Sequence, residues 1–146
     1  MKKNDLVSIF VLFRDKQTSK IDAGTRKKIM GVVRQGYQAA KEIEDAEKAL
    51  RETATKEEKE AIKLVQECEE KRKKDNSYEP SEEENAAIKV ANEFGATYTE
   101  AMKKVHDEDV ELAEKFTTED IDNIVAAYDI VYGQALYIEE HLVINK

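Results

Sequence analysis

The sequence contains few of the residues that form turns, redox centres and catalytic groups. Its 146 residues include one proline, five glycines, one cysteine, two histidines and no tryptophan. So little proline and glycine argues against a turn-rich β fold. Cys68 stands alone, which excludes a disulfide within the chain, and its acidic neighbours Glu67, Glu69 and Glu70 disfavour a thiolate. We therefore predict a structural cysteine on the flank of a helix.

Long apolar segments are missing as well. The apolar run at residues 6–13 is too short to cross a bilayer. Arg14, Asp15 and Lys16 follow it, where a secretion signal would have small residues for cleavage. We therefore expect a protein of the cytoplasm that has no membrane association.

Motifs that carry chemistry are absent too. The sequence has no phosphate-binding glycine loop, no nucleophile elbow and no Cys-x-x-Cys pair. A di-iron bundle requires Glu three residues before each His ligand, but Lys103 and Ile138 precede His106 and His141 at that spacing. Residues 106–109 could supply four metal ligands, yet adjacent helical residues point in different directions. The sequence thus predicts no catalytic residue, no metal and no cofactor, and we expect that the protein is not an enzyme.

Charge is what the sequence has in abundance, since 38% of its residues are charged and the net charge is −8. Residues 1–41 carry a net charge of +7, whereas the remainder carries −15. Either the basic segment packs beside the acidic remainder, or it forms a contact surface for nucleic acid or an acidic partner. The net negative charge argues against nucleic acid. The residues that would contact it are Arg26, Lys27, Lys28 and Arg34.

Apolar residues recur at helical spacing along most of the chain, which predicts an all-α helical bundle with at most a tiny two-stranded β pairing. In the first helix, capped by Asn4 or Asp5, additional apolar residues widen the stripe until the helix is apolar nearly all round. Such a helix is buried, either in its own core or against a partner. The residues of the stripe are Leu6, Ile9, Phe10 and Phe13.

A longer apolar pattern, with the 3.5-residue spacing of a coiled-coil seam, runs through residues 25–74. Two structures fit it: one unbroken helix, or a helical hairpin that turns at residues 53–55. Thr55 and Glu58 match a capping box, which favours the hairpin. Because neither glycine nor proline marks a turn there, we favour the unbroken helix. Gly31 and Gly36 inside the pattern predict the close approach of another helix.

Pro80 ends this pattern, and Ser81 with Glu84 matches a second capping box. The helix that follows should pack antiparallel to the one before it. We therefore predict a single helical domain over residues 1–146, in which residues 25–105 form a long antiparallel arm and residues 107–146 a small C-terminal helical subdomain.

The C-terminal subdomain is predicted to contain two short helices. Thr117 or Thr118 should cap the first, and Asp129 should start the second. Residues 110–112 are expected to pair as a strand with residues 142–144. The residues of the last helix predicted to face inward are Val131, Ala135, Ile138 and Leu142.

This subdomain is also the most acidic part of the chain, with eleven acids, two lysines and three tyrosines in residues 107–146. Acids with tyrosine can form a surface for a basic partner or mimic the spacing of phosphates; alternatively, the acids are solvated and the tyrosines pack beneath them. The candidate contact residues are Glu119, Asp120, Asp122 and Tyr132, together with Leu6, Ile9, Phe10 and Phe13 from the first helix.

The layout of the sequence resembles one group of known proteins. The features that carry the resemblance are the opening Lys3–Val7, the basic stretch after Ile21, the acidic helical middle, and Asp109–Leu112 followed by a Thr-Thr-Glu-Asp helix. The group is a family of unknown function, small helical proteins encoded in tailed-phage genomes near tail or structural genes. The resemblance implies a virion or assembly component in a bacterial host, with phage structural proteins or further copies of itself as partners.

Two other functions remain open. The acidic C-terminal face could inhibit a host defence or nucleic-acid enzyme by mimicking phosphate. The basic N-terminal segment could bind nucleic acid directly.

Overall fold

The computed structural model describes residues 1–16 and 20–143, and in these ranges the chain forms six α-helices and no strand. This confirms the predicted all-α class. No helix within the described ranges combines the length and apolar character that a membrane crossing requires. The helices are α1 (Lys3–Phe13), α2 (Ala23–Glu52), α3 (Lys56–Lys74), α4 (Glu82–His106), α5 (Thr118–Ala127) and α6 (Tyr132–Leu142).

The chain divides into two compact units. Unit 1 comprises Met1–Glu44 and Val105–Lys146, and unit 2 comprises Asp45–Lys104. The division differs from the layout predicted from the sequence. Residues 107–146, expected as a subdomain of their own, share unit 1 with the N-terminal residues, and the arm predicted over residues 25–105 is divided at residue 44.

Short polar side chains start four of the helices. Asp22 accepts a hydrogen bond from the backbone N–H of Thr25 at 2.9 Å, and this bond lowers the pKa of its carboxyl group. Complete capping boxes join Thr55 to Glu58 and Thr117 to Asp120. A further box joins Ser81 and Glu84, so the caps predicted at Thr55, Ser81 and Thr117 are confirmed. The cap predicted for the first helix at Asn4 or Asp5 is wrong, because α1 already begins at Lys3, and Lys2 before it makes no side-chain cap bond. Each cap satisfies backbone donors that the first helical turn leaves unpaired.

The unbroken helix favoured over residues 25–74 is wrong. Helix α2 ends at Glu52, and α3 begins at Lys56 behind the Thr55 cap. Three residues therefore leave the helix, although the apolar spacing continues in phase across them. The local capping box was the correct signal, since periodicity alone cannot distinguish one helix from two.

In unit 1, α1 lies in the hydrophobic core. Leu6 and Ile9 are fully buried, and Phe13 is 3% exposed. They pack in one cluster with the core face of α2 and with residues from α5, α6 and the segment before α5. The members of this cluster include Ile29, Val32, Ala39, Leu112, Phe116, Ile121, Ile124, Ile138 and Leu142.

Gly36 permits the close approach of α1 to α2. A Cβ atom at this position would overlap the side chain of Phe10 and would lie 3.1 Å from the carbonyl oxygen of Leu6. The prediction for Gly36 is therefore confirmed. The same prediction for Gly31 is wrong, because a Cβ there would make only an ordinary contact, 3.6 Å from the Cγ of Glu114, which is not in a helix.

The segment after α4 pairs with the N-terminal residues. Lys2 and Asp109 form an isolated antiparallel bridge, and Val110 N–H donates to the carbonyl of Met1 at 2.8 Å. The predicted pairing with residues 142–144 is wrong for Leu142, which ends α6, while Ile144 lies outside the described residues. Two further expectations for the last helix fail as well: it starts at Tyr132 and not at Asp129, and Val131 is 66% exposed.

Unit 2 contains α3 and most of α4, which run antiparallel as predicted. Glu84, at the start of α4, lies beside Cys68 and Lys71 near the end of α3. Further along α4, Phe94 shares a groove with Ile62 from the middle of α3. The start of α4 therefore lies beside the end of α3, and the chain direction is opposite in the two helices.

Candidate functional site

Most of the residues predicted to form a contact on α1 are not at the surface. Leu6, Ile9 and Phe13 are buried in the core of unit 1. Phe10 is half-buried and meets the ring of Tyr37 edge-on, with 6.1 Å between the ring centroids. Of the two alternatives for the first helix, burial in its own core is therefore the one observed.

The three carboxylates Glu119, Asp120 and Asp122 do not form one surface. Asp120 is only 8% exposed, and its carboxylate accepts from Lys28 Nζ at 2.6 Å and from Thr25 Oγ1 at 3.2 Å. Burial alone would raise the pKa of Asp120, but the hydrogen bonds from Lys28 and from Thr117 outweigh it and hold the pKa below its usual value. Asp120 therefore joins α2 to α5, whereas Glu119 and Asp122 are exposed.

An apolar groove lies between α5 and α6. Its most prominent residues are Tyr132, which is 87% exposed, and Leu136, which is 66% exposed. Large side chains so exposed and so close together are unusual on a soluble surface and are typical of an interaction site. The other apolar residues that line the groove are Ile121, Val125, Ala126 and Ala135.

Acidic residues border this apolar groove. Asp122 from α5 and Glu139 from α6 belong to its lining, and Glu119 and Asp129 are exposed on the same two-helix segment. None of these four carboxylates forms an ion pair within the described part of the chain. We name the groove and its two lining acids the acidic groove. Of the predicted contact residues, it contains Tyr132 and Asp122.

The basic residues of α2 divide between two environments. Lys28 is bound to Asp120 and also lies 6.0 Å from the centroid of the Phe116 ring, so it is not available to a ligand. Arg26, Lys27 and Arg34 are exposed. Both predicted interpretations of the basic segment therefore hold in part. Some of its residues neutralise acids of the C-terminal residues, and others are exposed and could contact a partner.

The ion pairs of unit 1 support the first of these interpretations directly. Lys2 pairs with Asp109 at 2.8 Å, and Lys3 pairs with Glu108 and, at 2.9 Å, with Glu42. Lys3 is 7% exposed, and the hydrogen bond to Glu108 raises its pKa. The basic N-terminal residues thus pack beside acids from the segment after α4.

Sequence reasoning missed an exposed stripe on α2. Arg26, Met30, Arg34, Tyr37 and Lys41 are spaced by three or four residues, so they share one face of the helix. All five are exposed, including 39% of Met30 and 59% of Tyr37. The helical spacing of these five residues was the available signal, and it places Tyr37 one turn from Arg34. We name these five residues the basic stripe.

Unit 2 has a buried polar cluster at the α3–α4 junction. Glu84 is 5% exposed and accepts from the hydroxyl of Tyr78 and from the backbone N–H of Ser81. These hydrogen bonds, the first above all, lower its pKa to about 2. Lys71 Nζ lies 3.8 Å from its second oxygen.

Cys68 belongs to this cluster and is buried, not on a helix flank as predicted. Burial, followed by the neighbouring carboxylate of Glu84, raises the pKa of its thiol. The thiolate is therefore disfavoured, mainly by burial, and the acid that adds to this effect comes from α4 and not from the adjacent residues of α3. Among the residues that the structure describes, no group of three or more His, Cys, Asp or Glu side chains could hold a metal ion.

Comparisons of this chain with protein-family models, with curated proteins and with solved structures found no match. What defines the chain is therefore its own fold and surfaces: an all-α protein with an acidic groove and a basic stripe, both in unit 1.

Proposed function

We propose that this protein is a non-enzymatic interaction component that binds a basic, amphipathic helix of a protein partner in the acidic groove. The observation that carries this proposal is the exposure of Tyr132 and Leu136, one turn apart on α6, beside the apolar residues of the groove. Apolar surface of this kind gains free energy when a partner covers it, at roughly 25 cal/mol per Å². Tyrosine is also enriched among the residues that dominate binding energy at interfaces.

The acids of the groove indicate the character of the partner. Asp122 and Glu139 have no cation of their own within the described residues. A helix with apolar residues on one face and Lys or Arg beside them would fill the groove and pair with both carboxylates. Such complementarity favours association with basic partners and disfavours acidic ones.

The resemblance to small helical phage proteins supports a more specific role, a component of a virion or of its assembly in a bacterial host. In that role the partner is a head or tail protein, or a further copy of this chain. Binding by shape and surface charge is also consistent with a sequence that lacks motifs for chemistry.

Site-specific photo-cross-linking tests this function. A photoreactive side chain is placed at Ala126, which is exposed and lines the groove, and at Glu70 on α3 as the matched control. In cells that carry the gene together with its phage, we expect a defined adduct, either with a head or tail protein or with a further copy of this chain, from position 126 only. The combined substitutions Y132A, D122K and E139K should abolish it. No adduct, or an adduct that persists in this variant, would overturn the proposal.

Phosphate mimicry is a second candidate, supported by the exposed carboxylates of Glu119 and Asp122. Its third predicted carboxylate, Asp120, is held by Lys28, so the surface is smaller than the sequence indicates. If this candidate is correct, E119K/D122K will relieve inhibition of the target enzyme and salt will weaken the wild-type inhibitor. Neither change is expected if the groove binds mainly by apolar contact.

A further inference from the structure

The basic stripe has the properties that the acidic groove requires of its occupant. It alternates cationic and apolar residues along one face of a helix, with Met30 between Arg26 and Arg34, and Tyr37 between Arg34 and Lys41. None of its three cations forms an ion pair within the described part of the chain.

The stripe is also accessible as a helix surface. The core face of α2 is formed by other residues, among them Ile29, Val32 and Ala39, which are buried in unit 1. At about 100° per residue, the stripe lies well away from that face. Its side chains can therefore enter a groove without disturbing the packing of α2.

Both surfaces remain uncovered within the same unit. Tyr37 is 59% exposed on the stripe, and Tyr132 is 87% exposed at the groove, so neither covers the other inside one molecule. Their charges are opposite, and each combines charge with apolar area. Two such surfaces on one chain are complementary between molecules.

We infer that the occupant of the acidic groove is the basic stripe of a second copy of this chain. This inference rests on the proposed function and names its partner. In the contact, Met30 and Tyr37 cover the apolar floor, while Arg26 and Arg34 face Asp122 and Glu139. The pairing joins two different surfaces, so a pair of molecules leaves one stripe and one groove free. Further copies then add head to tail into a filament or close into a ring.

Charge reversal on each surface separately tests this inference. The stripe variant is R26E/R34E, and the groove variant is D122K/E139K. K63E/K73E, at two exposed lysines of α3, is the matched control for the stripe variant because it changes the net charge equally. The mass of each protein is followed by sedimentation over a range of concentrations, at low and at high salt.

We expect the wild type and the K63E/K73E control to associate with increasing concentration, and high salt to weaken that association. Each single-surface variant should remain monomeric by itself. An equimolar mixture of the two should associate again, because the intact groove of one variant meets the intact stripe of the other, and the two reversed surfaces are also opposite in charge. A chain that carries all four substitutions should associate again, since its charges are exchanged.

Other results would distinguish a failure of self-association from a failure of the proposed groove function. A wild type that stays monomeric while the cross-link to a head or tail protein forms would overturn self-association and leave the groove function intact. Association that neither variant weakens would overturn the assignment of these surfaces. A DNA gel shift that R26E/R34E abolishes, without any self-association, would assign the stripe to nucleic acid instead.

Discussion

At the scale of single residues, Gly36 shows how one missing side chain permits a helix contact. It lies within the core face of α2, where Phe10 and the backbone of α1 occupy the space that a Cβ would need. Glycine inside a helix costs roughly 0.5–1 kcal/mol relative to alanine. The packing of α1 against α2 outweighs that cost.

Substituting Gly36 therefore reverses the usual effect of alanine in a helix. We expect G36A to destabilise the protein by about 1–3 kcal/mol, the typical cost of overpacking, as measured by urea denaturation. Gly95 is the matched control, because it lies inside α4 and no neighbouring group lies within 4 Å of the position that a Cβ atom would take. G95A should stabilise by roughly 0.5–1 kcal/mol. Equal effects of the two substitutions would show that α1 does not approach α2 so closely.

The residue scale also shows where sequence reasoning reached the correct answer. The stripe of α1 residues predicted burial, and Leu6, Ile9 and Phe13 are buried. The same three residues were also predicted to contact a partner, but a partner cannot reach side chains that are buried in the core. Asp120 is similar: its charge was evident in the sequence, but its pairing with Lys28 joins residues 92 positions apart. A local sequence pattern cannot predict an ion pair between residues so far apart in the chain.

At the scale of secondary-structure elements, polar caps decide where helices begin, and the α3–α4 junction is the most informative case. Glu84 caps α4, yet it also receives the hydroxyl of Tyr78 and lies beside Lys71 and Cys68 of α3. The carboxylate is therefore a local cap and a tertiary contact together.

This double role predicts a pH dependence of stability. Because folding lowers the pKa of Glu84 from its ordinary 4.5 to about 2, the stabilisation is fully present above pH 4.5 and is lost as the pH falls toward 2. We expect E84Q to lower the urea midpoint of unit 2 at neutral pH, with a difference from wild type that shrinks across that window. Hydrogen exchange of peptides from α3 and α4 would report it.

Glu83 provides the control for this prediction. It occupies the same first turn of α4 but is exposed, and no described residue donates a hydrogen bond to its side chain. E83Q should leave the pH profile of stability nearly unchanged. A difference between E84Q and wild type that stays constant down to the lowest pH would refute the role of the Glu84 carboxylate.

The element scale also explains why the break between α2 and α3 was difficult to predict. The apolar spacing continues in phase from Ala54 through Ala61 to Cys68, and both an unbroken helix and two antiparallel helices satisfy it. An N-cap contributes only about 1 kcal/mol, so the packing of the neighbouring apolar residues also determines whether a new helix starts at that position. Here Ala61 and Cys68 are buried in unit 2, which contains α4.

At the scale of the whole molecule, unit 1 is built from the two ends of the chain. Its core joins α1 and α2 with α5 and α6, which come from residues more than sixty positions further along. Ile138 of α6 is fully buried in this cluster together with Leu6 and Ile9 of α1. A core assembled in this way couples distant segments of the sequence.

A cavity in α6 should therefore loosen α1. We expect I138A to lower the free energy of unfolding by about 2–5 kcal/mol and to reduce the hydrogen-exchange protection of peptides from α1 and α6 together. Leu136, two residues earlier and 66% exposed, is the control, and L136A should change stability by no more than about 0.5 kcal/mol. Loss of protection confined to α6 would contradict a shared core.

The acidic, helical character of the chain was determined by the sequence alone. Composition argued against a turn-rich fold. Helical periodicity identified most of the buried faces, and short polar motifs located the caps of α3, α4 and α5, because both signals depend on residues within a few positions of one another. The tertiary structure decided which charges remain available. Lys28 and Asp120 neutralise each other, while Arg34, Asp122 and Tyr132 stay exposed. Exposure depends on what the rest of the chain covers, and only long-range packing determines that.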